Sequence, residues 1–168
     1  MGTTETRAGY TPAYAGVRRE MNRIMAEMTL EQLSEKIQDI DFGMLSTRTE
    51  GDAVASRPMS NNGDVEYDGD SYFFCHESTR TVSDIEGDPH VGLTFTGKKG
   101  LLGKPPIFIA IEGNAEIIRD KARFEQHWVE DLERWFKQGV DTPGLTLLKV
   151  RAERIHYWDG EDEGELIP

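Results

Sequence analysis

Ser56-Arg57-Pro58-Met59 closes a short apolar run, and its residue types suit a small anion lying against a sheet. The guanidinium supplies charge, and the proline supplies a position with no backbone N–H. On a strand, Ala55, Arg57 and Met59 share one face while Val54, Ser56 and Pro58 share the other. Proline also places that strand end at an edge, a bulge, or a point where something other than a strand approaches. Taken alone, the tetrapeptide reads as a surface arginine beside a strand-ending proline. A second constellation is His76-Glu77-Ser78-Thr79-Arg80-Thr81. Free N–H groups at a helix start, two hydroxyls and a guanidinium make a phosphate cradle. The same residues also make an ordinary N-cap, and local sequence leaves both readings open.

Other motifs fail on inspection. In Gly97-Lys98-Lys99-Gly100-Leu101-Leu102-Gly103-Lys104-Pro105 a phosphate-binding loop would need Gly at 98 and a hydroxyl at 105, where Lys98 and Pro105 stand. A mobile basic hairpin loop is the expectation there. Asp159-Gly160-Glu161-Asp162-Glu163-Gly164 opens like a calcium loop, but the glutamate of its twelfth position would fall beyond Pro168. A solvated acidic tail is expected instead. His76, His90, His127 and His156 are too widely spaced for an HxxxH-type metal pair, so no metal site is assigned. Cys75 is the single cysteine, read most simply as a buried or half-buried thiol at a strand end. No Ser-His-Asp or Cys-His order can be argued from the spacings, so no catalytic residue is assigned.

The elements that must position these residues follow from pattern. Thr29 with Gln32 forms a capping box, and Leu30, Leu33, Ile37 and Ile40 give the helix behind it one apolar stripe. A short helix over Val17 to Met28 is also allowed. Strands are predicted over Phe42 to Thr47 and Ala53 to Met59, around the turn Glu50-Gly51-Asp52. Val65 to Tyr67 and Ser71 to Cys75 are predicted to flank a second hairpin at Asp68-Gly69. Further strands are His90 to Thr96, Ile107 to Ile118, Leu145 to Arg151 and Arg154 to Trp158. A short helix follows Ser78-Thr79 and ends near Gly87. A longer one starts after Asp120, with Phe124, Trp128, Leu132 and Trp135 or Phe136 on its apolar face and Gly139 as its stop. Strands joined mostly by hairpins predict a mainly β, antiparallel barrel with flanking helices.

The chain has 168 residues and a net charge of −12, with 30% charged and 37% hydrophobic residues, a globular balance. One main domain over 29–160 is expected, with a partly ordered segment over 1–28 and the acidic tail over 161–168. The charge argues against nucleic acid or an anionic membrane as partner. Met1 to Met28 lacks an apolar h-region, no stretch is long and apolar enough to span a bilayer, and a single cysteine allows no internal disulfide. A cytoplasmic location is the expectation.

In order and spacing, the chain resembles the general stress protein 26 branch of the pyridoxamine 5′-phosphate oxidase-like, FMN-binding split-barrel superfamily. The resemblance is carried by Ile37-Gln38-Asp39-Ile40 before Gly43-Met44-Leu45-Ser46-Thr47, then Ser56-Arg57-Pro58-Met59 and Tyr72-Phe73-Phe74. It continues through Asp88-Pro89-His90-Val91, Arg134-Trp135-Phe136 with Gly139, and Tyr157-Trp158-Asp159-Gly160. The resemblance implies a six-stranded antiparallel split β-barrel, working as a homodimer with FMN at the subunit interface. It implies that Ser56, Arg57, Pro58 and Met59 lie along the flavin ring, with Phe73, Phe74, Cys75 and His76 alongside. Ser78, Thr79, Arg80 and Thr81 would hold the phosphate, and Trp135, or a residue near Trp158, would reach across from the partner subunit. Relatives generally carry lysine where this chain has Thr81, which leaves Arg80 more isolated. A flavin-dependent oxidoreductase with a small-molecule redox partner is the leading functional expectation. A non-catalytic flavin-binding stress protein is the alternative; a deazaflavin or haem protein on the same barrel, haem needing an axial ligand such as His76 or His156, is a third reading, and a cofactor-free interaction module using the acidic tail is a fourth.

Overall fold

Thr29 starts the first helix as its pattern predicts. Its hydroxyl accepts from Gln32 N at 3.2 Å, and the Gln32 side chain accepts from Thr29 N at 2.9 Å. The computed structural model describes residues 28–61, 66–100 and 103–168. Most of the helix expected over Val17 to Met28 lies outside them, as do Val65 and the loop residues Leu101 and Leu102. The capped helix α1 (Leu30–Gln38) lays Leu33 and Ile37 into the core, followed by Ile40 just beyond its end. Each such buried aliphatic side chain contributes about 1.5–3 kcal/mol.

The remaining elements are β1 (Phe42–Arg48), β2 (Val54–Ser60), β3 (Asp70–His76), α2 (Arg80–Gly87), β4 (His90–Thr96), β5 (Phe108–Ile118), α3 (Lys121–His127), β6 (Leu145–Asp159) and β7 (Asp162–Leu166). Hydrogen-bonded neighbours run β2-β1-β4-β5-β6-β3, with every pairing antiparallel and β7 added on β6. The expected mainly β, split-barrel architecture is present, with seven strands rather than six. Alternation of burial along β1, β4 and β5 up to Glu116 turns one face inward. Leu45, Leu93, Phe95, Ile109, Ile155 and Tyr157 fill that face, each 1% exposed or less. No helix among the described residues is long and apolar enough to cross a membrane.

Four expectations are corrected. Asp68-Gly69 is not a hairpin: Glu66 and Tyr67 are not strand, and β3 pairs with β6 instead. Tyr67 is drawn into the core, and Gly69 O accepts from Ala152 N, so the turn delivers the chain to a distant strand. The long helix after Asp120 stops at His127, because Trp128 takes an extended backbone (φ −73°, ψ 134°). Its indole then meets Phe74 edge-on at 5.2 Å, and the chain continues as a 3-10 turn over Glu130–Arg134. The two strands expected after Leu145 are one, bent at a bulge where Glu112 pairs with Arg154 but Gly113 with Ala152. A Cβ on Gly113 would sit 2.2 Å from Arg151 O, so the bulge requires glycine. Finally, the acidic tail is a paired edge strand, β7, with Asp162 to Leu166 opposite Asp159 to Ile155.

Candidate functional site

Between β2, the end of β3, the start of α2 and the turn after α3 lies a cleft of about 450 Å³. Arg57, Pro58 and Met59 form one wall, Phe74, Cys75 and His76 a second, and Thr79 and Thr81 close the polar end. Leu132, Trp135 and Phe136 supply the fourth side because the chain folds back after His127. Its volume and its mostly apolar lining with a few convergent polar groups are those of a small-molecule site.

The polar end is governed by a carboxylate that sequence reasoning missed. Asp84, one helical turn after Arg80, is buried. Its Oδ2 accepts from Thr47 Oγ1 at 2.8 Å and from Arg57 Nη2 at 3.1 Å. Arg57 Nη1 donates to Thr47 Oγ1 at 2.6 Å and to Ala55 O at 3.2 Å. Arg80 Nε lies 3.6 Å from Asp84 Oδ1, while most of its side chain is exposed. Both guanidiniums expected at the anion therefore converge on one acid. Arg57 is spent holding β1, β2 and α2 together, and Arg80 keeps donors free. The i, i+4 spacing of Arg80 and Asp84 was visible in sequence. The tie to Arg57 was not, because it spans separate elements.

Ten of the fourteen residues expected at the cofactor are brought together by this cleft, counting Arg80 at its rim beside Thr79 and Thr81. The other four are not. Ser56 faces away, and its hydroxyl bonds Ser46 Oγ at 2.7 Å. Phe73 points into the core and is 1% exposed. Ser78 is exposed and lines no described cavity wall, and Trp158 stacks on His156 at 4.1 Å in the far half of β6.

Burial pushes the Cys75 thiol up to about 11, with the neighbouring Thr79 hydroxyl pulling the other way and Glu77 adding to the rise. Behind the cleft, Arg119 grips Glu77 through Nε at 3.0 Å and reaches Glu86 at 2.7 Å. Those bonds, with one from Thr146, hold the Glu77 carboxyl below its ordinary range. The network fixes the segment between β3 and α2 to the end of β5.

The start of α2 is open to a ligand. Thr79 occupies the N-cap without making a side-chain cap bond, and no acidic residue stands in the first turn. Its Oγ1 is buried without a partner that meets hydrogen-bond geometry. That hydroxyl, with the Cys75 sulfur beside it, can turn to donate to an anion. Arg57, Arg80 and Asp84 together carry one net positive charge, against nearly two negatives on a phosphate monoester. The residues present fit a flat, phosphate-bearing cofactor: an apolar slot for a ring, and a helix start with an orphan hydroxyl and Arg80 for the phosphate.

The family model described as "Pyridoxamine 5'-phosphate oxidase like" matches residues 28–167. Among curated proteins none matches the chain. The general stress protein 26 of Bacillus anthracis str. Sterne is 27% identical with a TM-score of 0.66, over 83% of this chain and 98% of that one. A Clostridium acetobutylicum protein related to general stress protein 26 of B. subtilis, of the pyridoxinephosphate oxidase family, has a TM-score of 0.68 at 22% identity, covering 82% and 93%. A heme binding protein from Mycobacterium smegmatis shares the fold at a TM-score of 0.66 and 13% identity, covering 84% of this chain and 59% of its own. With the family model spanning every described strand and helix, the chain belongs to the pyridoxamine 5′-phosphate oxidase-like family.

Proposed function

We propose that the protein binds FMN in the cleft between β2, β3 and α2, as a homodimer, and serves as a cytoplasmic flavin-dependent oxidoreductase toward a small-molecule redox partner. The observation that carries the reading is the pairing of an apolar slot with an uncapped helix start and its unpartnered Thr79 hydroxyl. Arg80 and the α2 N–H groups hold the phosphate. The Pro58 and Met59 backbone faces the ring, while Phe74 and Leu132 exclude water. When bound, FMN supplies hydride or single-electron transfer.

The outer face of the sheet supports the dimer. Phe42, Met44, Phe108 and Trp158 are 37–51% exposed there. Met44 stands opposite Pro58 and Thr94, and Phe108 opposite Trp158, so the band runs across several strands. An apolar band of that kind marks an association surface. It would bring Trp158 to the partner's cleft rather than to its own.

Purification without added cofactor, a visible spectrum and mass analysis of what heat releases test the proposal. A flavin spectrum with released FMN is expected, and a colourless monomer that ignores added FMN overturns it. A Soret band would instead assign haem, with His76 in the cleft as its ligand. Arg80→Ala should lose flavin, whereas Lys104→Ala, whose ammonium pairs with Asp159 at 3.0 Å, should retain it. Thr81→Lys should tighten binding by about 1–2 kcal/mol. Anaerobic mixing with NADH or NADPH separates turnover, which bleaches the flavin, from mere holding, which leaves it yellow.

A further inference from the structure

A second cleft, of about 300 Å³, adjoins the first and shares Ser60, Phe74 and Leu132 with it. Its far wall is the Tyr72–His127 pair, stacked with ring centroids 3.7 Å apart and 17° between planes. A smaller space of about 30 Å³, which shares Gln38, Asn61, Tyr72 and His127 with it, is lined by Glu66 and Asp70. The lining of the two spaces includes Asp41, Asp131, Glu66 and Asp70, and no lysine or arginine among the described residues.

Two of those acids are already neutralised from outside the cavity. Asp131 pairs with Arg134, and Asp70 pairs with Lys149 at 2.7 Å. Asp41 and Glu66 form no ion pair among the described residues. The Asn61 amide is also committed, donating to Ile37 O and Ile40 O at 2.9 Å each, so it offers no N–H to an anion. Burial, with Arg123 and Lys149 nearby, holds His127 below its ordinary range, so at neutral pH its ring is uncharged and keeps an acceptor nitrogen. The cavity therefore presents acceptors and aromatic surface, inside a protein of net charge −12 whose field concentrates cations.

We propose that this second cleft takes a small flat cation, an amidinium or protonated amine on an aromatic body, and seats it against the wall it shares with the first cleft. Its role as the substrate site rests on the flavin reading; the binding itself does not. An anionic substrate carrying its own phosphate finds no lysine or arginine in the lining.

The test is calorimetric titration of the purified protein with benzamidine, and with benzamide and benzoate as neutral and anionic isosteres. Benzamidine should bind saturably and about tenfold more tightly than either. The double variant Asp41→Asn with Glu66→Gln, both on exposed residues, should abolish the preference. The control Glu161→Gln with Asp162→Asn, the same charge change at the far acidic end, should retain it. Equal binding of the three probes, no saturable benzamidine binding, or the same loss in the control would each overturn the proposal. A colourless protein that still prefers benzamidine would sink the flavin reading and keep this site. A yellow one without the preference would do the reverse.

Discussion

Replacing Asp84 with asparagine should uncouple the stability of this fold from its ligand affinity. The carboxylate accepts two hydrogen bonds below 3.2 Å, and its side chain is 5% exposed against 19% for Arg57. Removing one member of a buried ion pair costs about 3–5 kcal/mol when the other is stranded. Here Arg57 is partly solvated and keeps Thr47 and the Ala55 carbonyl, so a loss of about 2–3 kcal/mol is expected. For a domain of this size that lowers Tm by about 4–12 °C, read from tryptophan fluorescence during heating or in urea. Flavin affinity should move the other way, rising several-fold, because Arg80 and Arg57 no longer share an internal anion. Removing both charges, as Arg57→Met with Asp84→Leu, should recover most of the lost stability. A single variant within about 0.5 kcal/mol of wild type, or a double variant no better than the sum of the singles, would refute the reasoning.

Gly113→Ala drives a methyl into Arg151 O and should destabilise by about 2–3 kcal/mol or more, whereas Gly87→Ala, with open space around it, should not; urea midpoints compare them. Acid should unfold the protein through its depressed carboxylates. Glu77, bonded by Arg119, and Asp159, bonded by Lys36, both lie below their ordinary values. A depressed group stabilises fully above its unfolded pKa, and that contribution disappears as pH falls through the lower folded value. Tm should therefore hold steady near neutrality and drop below about pH 4, and Arg119→Ala should flatten that drop. A Tm that falls equally in both proteins would refute the role of Arg119. Cys75, pushed up to about 11, should react with a disulfide reagent at pH 8 about a hundredfold more slowly in the folded protein than in urea. Equal rates would place the thiol in water.

Local chemistry was legible in the sequence and long-range geometry was not. The Thr29 and Gln32 capping box, the turn at Gly51-Asp52 with φ of 83° and 62°, and the strands β1, β4 and β5 follow from neighbouring residues, and all appear as expected. The cleft was legible in part, since two short motifs supplied most of its walls. Phe73 and Phe74 show the limit: either could face the ligand until β3 is registered against β6, which buries Phe73. Asp68-Gly69 carried a strong hairpin signal, yet Tyr67 gains more from the core than a two-strand hairpin offers alone. Trp128 likewise continues the helical stripe in sequence, but its contact with Phe74 and Phe136 wins over one more turn of helix.

One edge of β6 is divided between two clients, β3 along Leu145 to Arg151 and β7 along Ile155 to Asp159, with the bulge between them. During synthesis, then, β3 leaves the ribosome long before the template that will hold it exists. Cys75 and His76 must wait, unzipped, until the last long strand emerges, so the ligand pocket is finished late and all at once. A nascent chain stalled before Leu145 should accordingly be protease-sensitive and unable to retain a flavin, however well its earlier strands have paired.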